Sequence, residues 1–259
     1  MNVYCRVLVG IVAVIAALPS RAHAEVHRDA GNHFQLAIPD GWMHMTDAEL
    51  TMMNKMAGQM GSGIRYDAGL RPQNTLPGSY PYVLIQIHRS RMSGASYDDI
   101  ESALSRELNA PLQKVKEAMK DLVKDVAIGQ LAVDRERNRV IMRAQLDTPW
   151  GKVQGISQGH LGSEGIVYIH SYALERDFEK YMPTFNQIND SVSFDDGYSF
   201  VPRSRSAAIW ESAKTGAIGG AVVGALAGLV VFVVRKFAKT KPRTGKRGRD
   251  EMDQAELAE

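Results

Sequence analysis

Apart from Cys5, the 259-residue chain has no cysteine. Cys5 lies within the first 24 residues, which have the form of a secretory signal peptide. Arg6 supplies the positive n-region, Val7 to Leu18 the apolar core, and Ala22-His23-Ala24 the small-x-small pattern that a signal peptidase reads. The apolar run is broken by Pro19 and Ser20 and is short for a bilayer span, which favours cleavage after Ala24 over retention as an N-terminal anchor. Either outcome places the following residues outside the cytoplasm. Cys5 is too far ahead of the cleavage point to serve as a lipid-anchor cysteine. A mature chain beginning at Glu25 would therefore have no thiol, which excludes disulfides, a cysteine nucleophile and a zinc–thiolate centre. Residues 25–200 must be held together by a hydrophobic core, and their length suits one domain.

Charge is missing from one stretch, and acid from the one after it. Thr215 to Val234 (TGAIGGAVVGALAGLVVFVV) contains no charged residue, and at about 1.5 Å rise per residue a helix of this length extends about 30 Å, the thickness of a bilayer's hydrocarbon core. Only a helix satisfies every backbone polar group within such a segment, so residues 214–235 are expected to form a transmembrane helix. The residues that follow, 235–249, contain eight basic residues and no acid. Residues 25–213, by contrast, carry 20 basic and 24 acidic side chains, about −4 in all. This asymmetry is the positive-inside pattern, and it orients residues 25–200 outward and 236–259 inward. The pI of 8.6 therefore implies attraction to anionic lipid headgroups, and no nucleic-acid partner. Residues 201–213 read as a linker, and the tail turns acidic from Asp250 to Glu259.

Within the exported part, Phe34-Gln35-Leu36-Ala37-Ile38 alternates as a half-buried strand does, and Pro39-Asp40-Gly41 turns the chain ahead of Trp42. Thr46-Asp47-Ala48-Glu49 forms a capping box, opening a helix expected to run to about Ala57. Gly58, Gly61 and Gly63 end it, and a long loop is expected from there to Pro81. Tyr82 to His88 reads as a strand. Ser96-Tyr97-Asp98-Asp99 forms a second capping box, with Ile100, Leu104 and Leu108 on one helix face. Pro111 interrupts that helix, and Leu112, Val115, Met119 and Leu122 renew the stripe. Four strands are then expected: Ala127–Asp134, Arg139–Leu146, Lys152–Leu161 and Gly165–Ala173. Their short connectors imply an antiparallel meander, with Val140, Met142, Ala144 and Leu146 facing one way. A last helix carries Phe178, Tyr181, Met182, Phe185 and Ile188, followed by Val192-Ser193-Phe194.

The expected fold class is α+β: a mainly antiparallel sheet flanked by helices, with one C-terminal transmembrane helix. The opening Phe34-Gln-Leu-Ala-Ile-Pro-Asp-Gly-Trp42 resembles the strand–turn–Trp start of PsbP-like and DcrB-like domains. The closing Asp177-Phe178, Phe185-Asn-Gln-Ile188 and Ser191-Val-Ser-Phe194 are similar to their final helix and the segment after it. The resemblance implies an α/β/α sandwich without shared catalytic apparatus, often used to dock on other proteins. It carries no site residues across.

Three patterns invite chemistry. Gly155-Ile156-Ser157-Gln158-Gly159 matches G-x-S-x-G, but that motif needs a strand-to-helix turn, and here another strand follows. A hairpin near Ser163 would bring His170 opposite Ser157, with no acid placed to orient it. Met52, Met56 and Met60 recur at four-residue spacing, with Met43-His44-Met45 and Met53 nearby. Thioethers and imidazole suit Cu(I), although helical spacing is also that of a core stripe. His27, His33, His88, His160 and His170 show no metal-ligand spacing, and the 58–63 glycines lack the Lys-Ser/Thr of a phosphate loop. The third pattern lies in the apolar stretch. Gly216, Gly220, Gly224 and Gly228 form an unbroken four-residue ladder beside Ala213, Ala217, Ala221 and Ala225. Such a groove allows helices to approach closely, so these four glycines are the expected helix-packing residues.

The expectation is therefore a non-enzymatic, single-pass protein of a bacterial inner membrane, with a periplasmic domain and a cytoplasmic tail. Its partners would be the membrane and either a second copy or another membrane protein, and it would need no cofactor. The alternative is a ligand- or metal-binding envelope sensor using the Met-rich helix and the 58–81 loop.

Overall fold

The computed structural model describes residues 25–59, 64–92, 94–107, 124–148 and 151–202. The first strands, β1 (Glu25–Asp29) and β2 (Phe34–Ile38), pair antiparallel, and β11 (Ser193–Phe194) joins the other edge of β2 in a three-stranded sheet. The alternation read in β2 is real: Phe34, Leu36 and Ile38 are buried.

The main sheet has eight strands, all in antiparallel pairs. Its order is β3 (Trp42–His44), β4 (Ala68–Pro72), β5 (Tyr82–Arg89), β10 (Gly165–Leu174), β9 (Gly151–Leu161), β8 (Arg139–Thr148) and β6 (Asp125–Ile128), with β7 (Ala132–Asp134) also on β8. The expected strand 127–134 is thus two strands. Ile128 pairs with Ala144 and Ala132 with Ile141, so three residues between them face two on β8. That one-residue excess is a bulge, centred on Gly129, whose N–H donates to the Arg143 carbonyl at 2.8 Å.

Both capping boxes form. The Thr46 N–H donates to Glu49 Oε2 at 2.8 Å and the Glu49 N–H to Thr46 Oγ1 at 3.3 Å, opening α1 (Asp47–Gln59). Ser96 and Asp99 make the equivalent pair at 3.0 and 3.2 Å, opening α2 (Tyr97–Glu107). These reciprocal bonds satisfy amides that have no partner in a helix's first turn. The third helix, α3 (Glu175–Asp190), follows β10 directly and buries Phe178, Phe185 and Ile188.

The helices lie on opposite faces of the sheet. Met53, Met56 and Ala57 of α1 pack with Tyr82, Leu84, Met142, Ala144 and Tyr172, while Ile100 and Leu104 of α2 pack with Val140, Ile166 and Tyr168. On the other face, α3 and β2 enclose Trp42, Val83, Ile85, Ile156, Val167 and Ile169. The result is a three-layer sandwich with three helices around a mainly antiparallel sheet. Each fully buried aromatic or aliphatic side chain contributes on the order of 1.5–3 kcal/mol relative to exposure.

The expected 58–81 loop contains a strand. β4 has neither alternation nor β-branched residues, and it is held by context: Gly69 is so close to Met45 that a Cβ would meet its Sδ at 2.6 Å. The helix expected after Pro111, the signal peptide, most of the linker, the membrane helix and the tail lie outside the described residues. Among the described residues no helix is long and apolar enough to cross a membrane.

Candidate functional site

Ser157 and His170 do meet. They are direct partners in the β9–β10 ladder, and Ser157 Oγ lies 2.7 Å from His170 Nδ1. His170 Nε2 lies 3.0 Å from Gln86 Oε1 on β5. The amide oxygen can only accept, so Nε2 carries the hydrogen and Nδ1 accepts from the serine hydroxyl. The chain is therefore Ser157→His170→Gln86, with an amide where a hydrolase triad has a carboxylate.

Its surroundings oppose nucleophilic chemistry. His170 is fully buried and Ser157 is 4% exposed. Burial pushes the His170 pKa down to about 3, so the ring stays neutral and is a weak base for a serine proton. β9 is paired on both edges, so its amides are committed to the sheet and none is left for an oxyanion.

The G-x-S-x-G match has a packing cause. Gly155, Ser157 and Gly159 stand on one face of β9, opposite Tyr172, His170 and Tyr168 of β10. Small residues on one strand seat large rings on the next. The His170 ring stacks between those of Tyr168 and Tyr172, at centroid distances of 5.8 and 6.4 Å, and Tyr66 meets it edge-on at 6.0 Å.

The methionines are distributed in the same way. Met45, Met53 and Met56 are buried with Tyr66, Tyr82 and Leu84, and Met52 packs against that cluster from its margin. Met60 lies outside the described residues, as do Gly216, Gly220, Gly224 and Gly228. Among the described residues no group of three or more His, Cys, Asp or Glu side chains is placed to hold a metal ion.

Several polar arrangements were not evident from the sequence. Glu49 is shared between its capping box and Arg71 of β4, whose Nε donates to Oε1 at 2.7 Å. Burial would raise the Glu49 pKa, but the Thr46 bonds and the Arg71 guanidinium outweigh it and hold the carboxyl below its ordinary value. Arg139, also buried, donates to Asp190 Oδ1 at 2.8 Å and Gln158 Oε1 at 3.2 Å, tying β8 and β9 to the end of α3. Beside it, His160 Nε2 lies 3.3 Å from Asn189 Oδ1. Finally, His27 of β1 and His44 of β3 place their rings 5.0 Å apart, joining the edges of the two sheets. These pairs are separated by 17 to 51 residues in the chain, so no local pattern marks them.

Two hollows remain. One, of about 210 Å³, lies where the β1–β2 turn, the end of β5 and the β9–β10 turn converge, with Asn32, Arg89, Glu164 and Tyr198 on its wall. The other, an open groove of about 290 Å³, runs along β6 and β8 past Arg143 and Gln154. Both fall below the roughly 300–1,000 Å³ usual for small-molecule sites.

No family model matches the chain, and no curated protein matches it in sequence. Among solved structures it is similar to the solution structure of cyanobacterial PsbP (CyanoP) from Synechocystis sp. PCC 6803. That likeness has a TM-score of 0.45 at 11% identity and covers 66% of this chain and 91% of that one. Nothing about residue roles follows from a likeness at that level.

Proposed function

We propose that the chain is a non-enzymatic, membrane-tethered interaction module, with its sandwich domain outside the cytoplasm and its association carried by the glycine face of a C-terminal membrane helix. The observation that carries this reading is the sequence of residues 214–235: an uncharged stretch from Thr215 to Val234 with Gly216, Gly220, Gly224 and Gly228 in register, followed by a basic cluster. The packing of the domain supports it. Ser157, His170, Met53 and Met56 are absorbed into the interior, and neither hollow has the size of a usual small-molecule site. A sensor built on the Met-rich helix receives less support, because Met53 and Met56 are already surrounded by apolar partners.

Gly220→Leu and Gly224→Leu test the reading in a membrane reporter of helix association. Loss of signal in both supports self-association. An unchanged signal overturns it, and crosslinking in native membranes then reports whether a different membrane protein is the partner.

A further inference from the structure

The hollow of about 210 Å³ between the β1–β2 and β9–β10 turns is walled by backbone that is already fixed. The Ser163 N–H donates to the Tyr198 carbonyl at 2.7 Å and the Ser90 N–H to the Glu164 carbonyl at 3.0 Å, so the β9–β10 turn is pinned from both sides. Gly162 lies so close to Phe194 that a Cβ would meet Cε1 at 2.8 Å. The polar groups on the wall, by contrast, are uncommitted. Arg89 and Glu164 are exposed and of opposite charge, yet among the described residues neither side chain has a hydrogen-bond or ion-pair partner. Asp67, whose carboxyl feels the Arg89 charge, is held instead by the Ile87 N–H at 2.8 Å. Asn32 gives its N–H and its Nδ2 to Asp29, at 3.0 and 2.7 Å, which leaves Oδ1 to accept.

We infer that this hollow binds a phosphoethanolamine group, with the Arg89 guanidinium on the phosphate and with Glu164 and Asn32 Oδ1 receiving the ammonium. A guanidinium fork matches phosphate oxygens in pairs, and the three donors of an ammonium suit a carboxylate with an amide oxygen beside it. One cation and one anion on the same wall match a zwitterion. A purely anionic group would face Glu164, and a purely cationic one Arg89. The volume is below the usual range for whole small molecules, so the hollow takes the polar end of a longer molecule whose remainder stays outside. Because the wall is fixed beforehand, little ordering opposes binding.

The layout of the chain favours a phospholipid as the source of that group. The domain ends at this same corner, where the Phe200 N–H donates to the Leu161 carbonyl at 3.3 Å. Eleven residues, 203–213, separate Pro202 from the expected membrane helix. Fully extended they reach about 40 Å at most, which keeps this end of the sandwich near the headgroups. The lipid source rests on the membrane-tethered reading, whereas the chemistry of the hollow does not.

The test is hydrogen exchange on the full chain, read by mass spectrometry over 30–33, 88–92 and 161–166. In mild detergent, O-phosphoethanolamine should slow exchange in these segments saturably. Arg89→Gln and Glu164→Gln should each weaken that binding about tenfold or more, with circular dichroism unchanged because both side chains are exposed and unpaired. Phosphocholine, which has no ammonium N–H, and inorganic phosphate should protect more weakly. Nanodiscs containing phosphatidylethanolamine should protect the same segments, and discs of phosphatidylcholine alone should not. Protection by O-phosphoethanolamine but by neither disc supports the site and assigns it a free ligand. Absence of protection by both O-phosphoethanolamine and the phosphatidylethanolamine discs overturns the inference. So does protection that survives both substitutions, or that phosphocholine equals. Recovery of the chain in the soluble fraction without detergent overturns the membrane tether alone, and the O-phosphoethanolamine titration then tests the hollow on that soluble protein.

Discussion

Tyr168 lies across Gly159 on the adjacent strand so closely that a Cβ on the glycine would sit 2.6 Å from Cε1 of the ring and 2.7 Å from Val140 Cγ2. A methyl group there forces the tyrosine, fixed in the interior by its neighbours, to move. Gly159→Ala should therefore destabilise the domain by about 1–3 kcal/mol, the range for overpacking a tight core. Urea unfolding checks it, and an unchanged midpoint would mean that the ring is less confined than the geometry shows.

Ser157→Ala should cost about 1–3 kcal/mol, because it leaves the buried His170 Nδ1 without its donor. It should have no effect on reaction with a fluorophosphonate probe, since wild type should not be labelled either. Labelling of wild type that disappears in Ser157→Ala would restore the hydrolase reading.

Acid should weaken the fold through two histidines. Burial lowers His170 to about 3 and His160, also beside the Arg139 guanidinium, to about 4. Their unfolded value is 6.5, so between those limits the unfolded chain binds more protons than the folded one. Stability contributed by the neutral rings is fully present above pH 6.5 and is lost as pH falls toward 4 and 3. The expected slope is about 1.4 kcal/mol per pH unit for each histidine. Unfolding measured from pH 7 to 5 should show it, and His170→Gln should reduce the slope by about half.

Glu49→Gln should be more damaging than a surface change, because it leaves the Arg71 charge in a site where the pair is only 7–10% exposed. Breaking one partner of a buried pair costs about 3–5 kcal/mol, whereas replacing both with apolar side chains is often near neutral. Glu49→Gln should therefore be much less stable than Glu49→Met combined with Arg71→Met. Equal losses would show that the unpaired Arg71 charge is not what makes Glu49→Gln costly.

The regular elements were readable because their causes are local. Thr46 with Glu49 and Ser96 with Asp99 announce helix starts, and the alternation of Val140, Met142, Ala144 and Leu146 announces a face. β1 and β4 were hidden for the opposite reason. Glu-Val-His-Arg-Asp and Ala-Gly-Leu-Arg-Pro have little strand character of their own and are extended because β2 and β5 pair with them. The Ser157–His170 contact was anticipated from hairpin arithmetic, but its burial was not, because that depends on α1 and Tyr66 covering the sheet. Gln86 and Arg71 gave no signal, since their partners come from distant chain segments.

The three-stranded sheet also bears on timing. β2 belongs to the first fifteen residues after Ala24, yet its second neighbour is Ser193–Phe194, and the Ala37 N–H donates to Ser191 Oγ at 2.9 Å across 154 residues. A ribosome releases the chain from the N-terminus, so β1 and β2 can form a hairpin early but must wait for nearly the whole domain before their far edge is closed. Until then, Phe34 and Leu36 lack the wall that α3 provides. Closure of this small sheet is thus a late event in biogenesis, and the interval before it is when a holding chaperone would find the most apolar surface to grip.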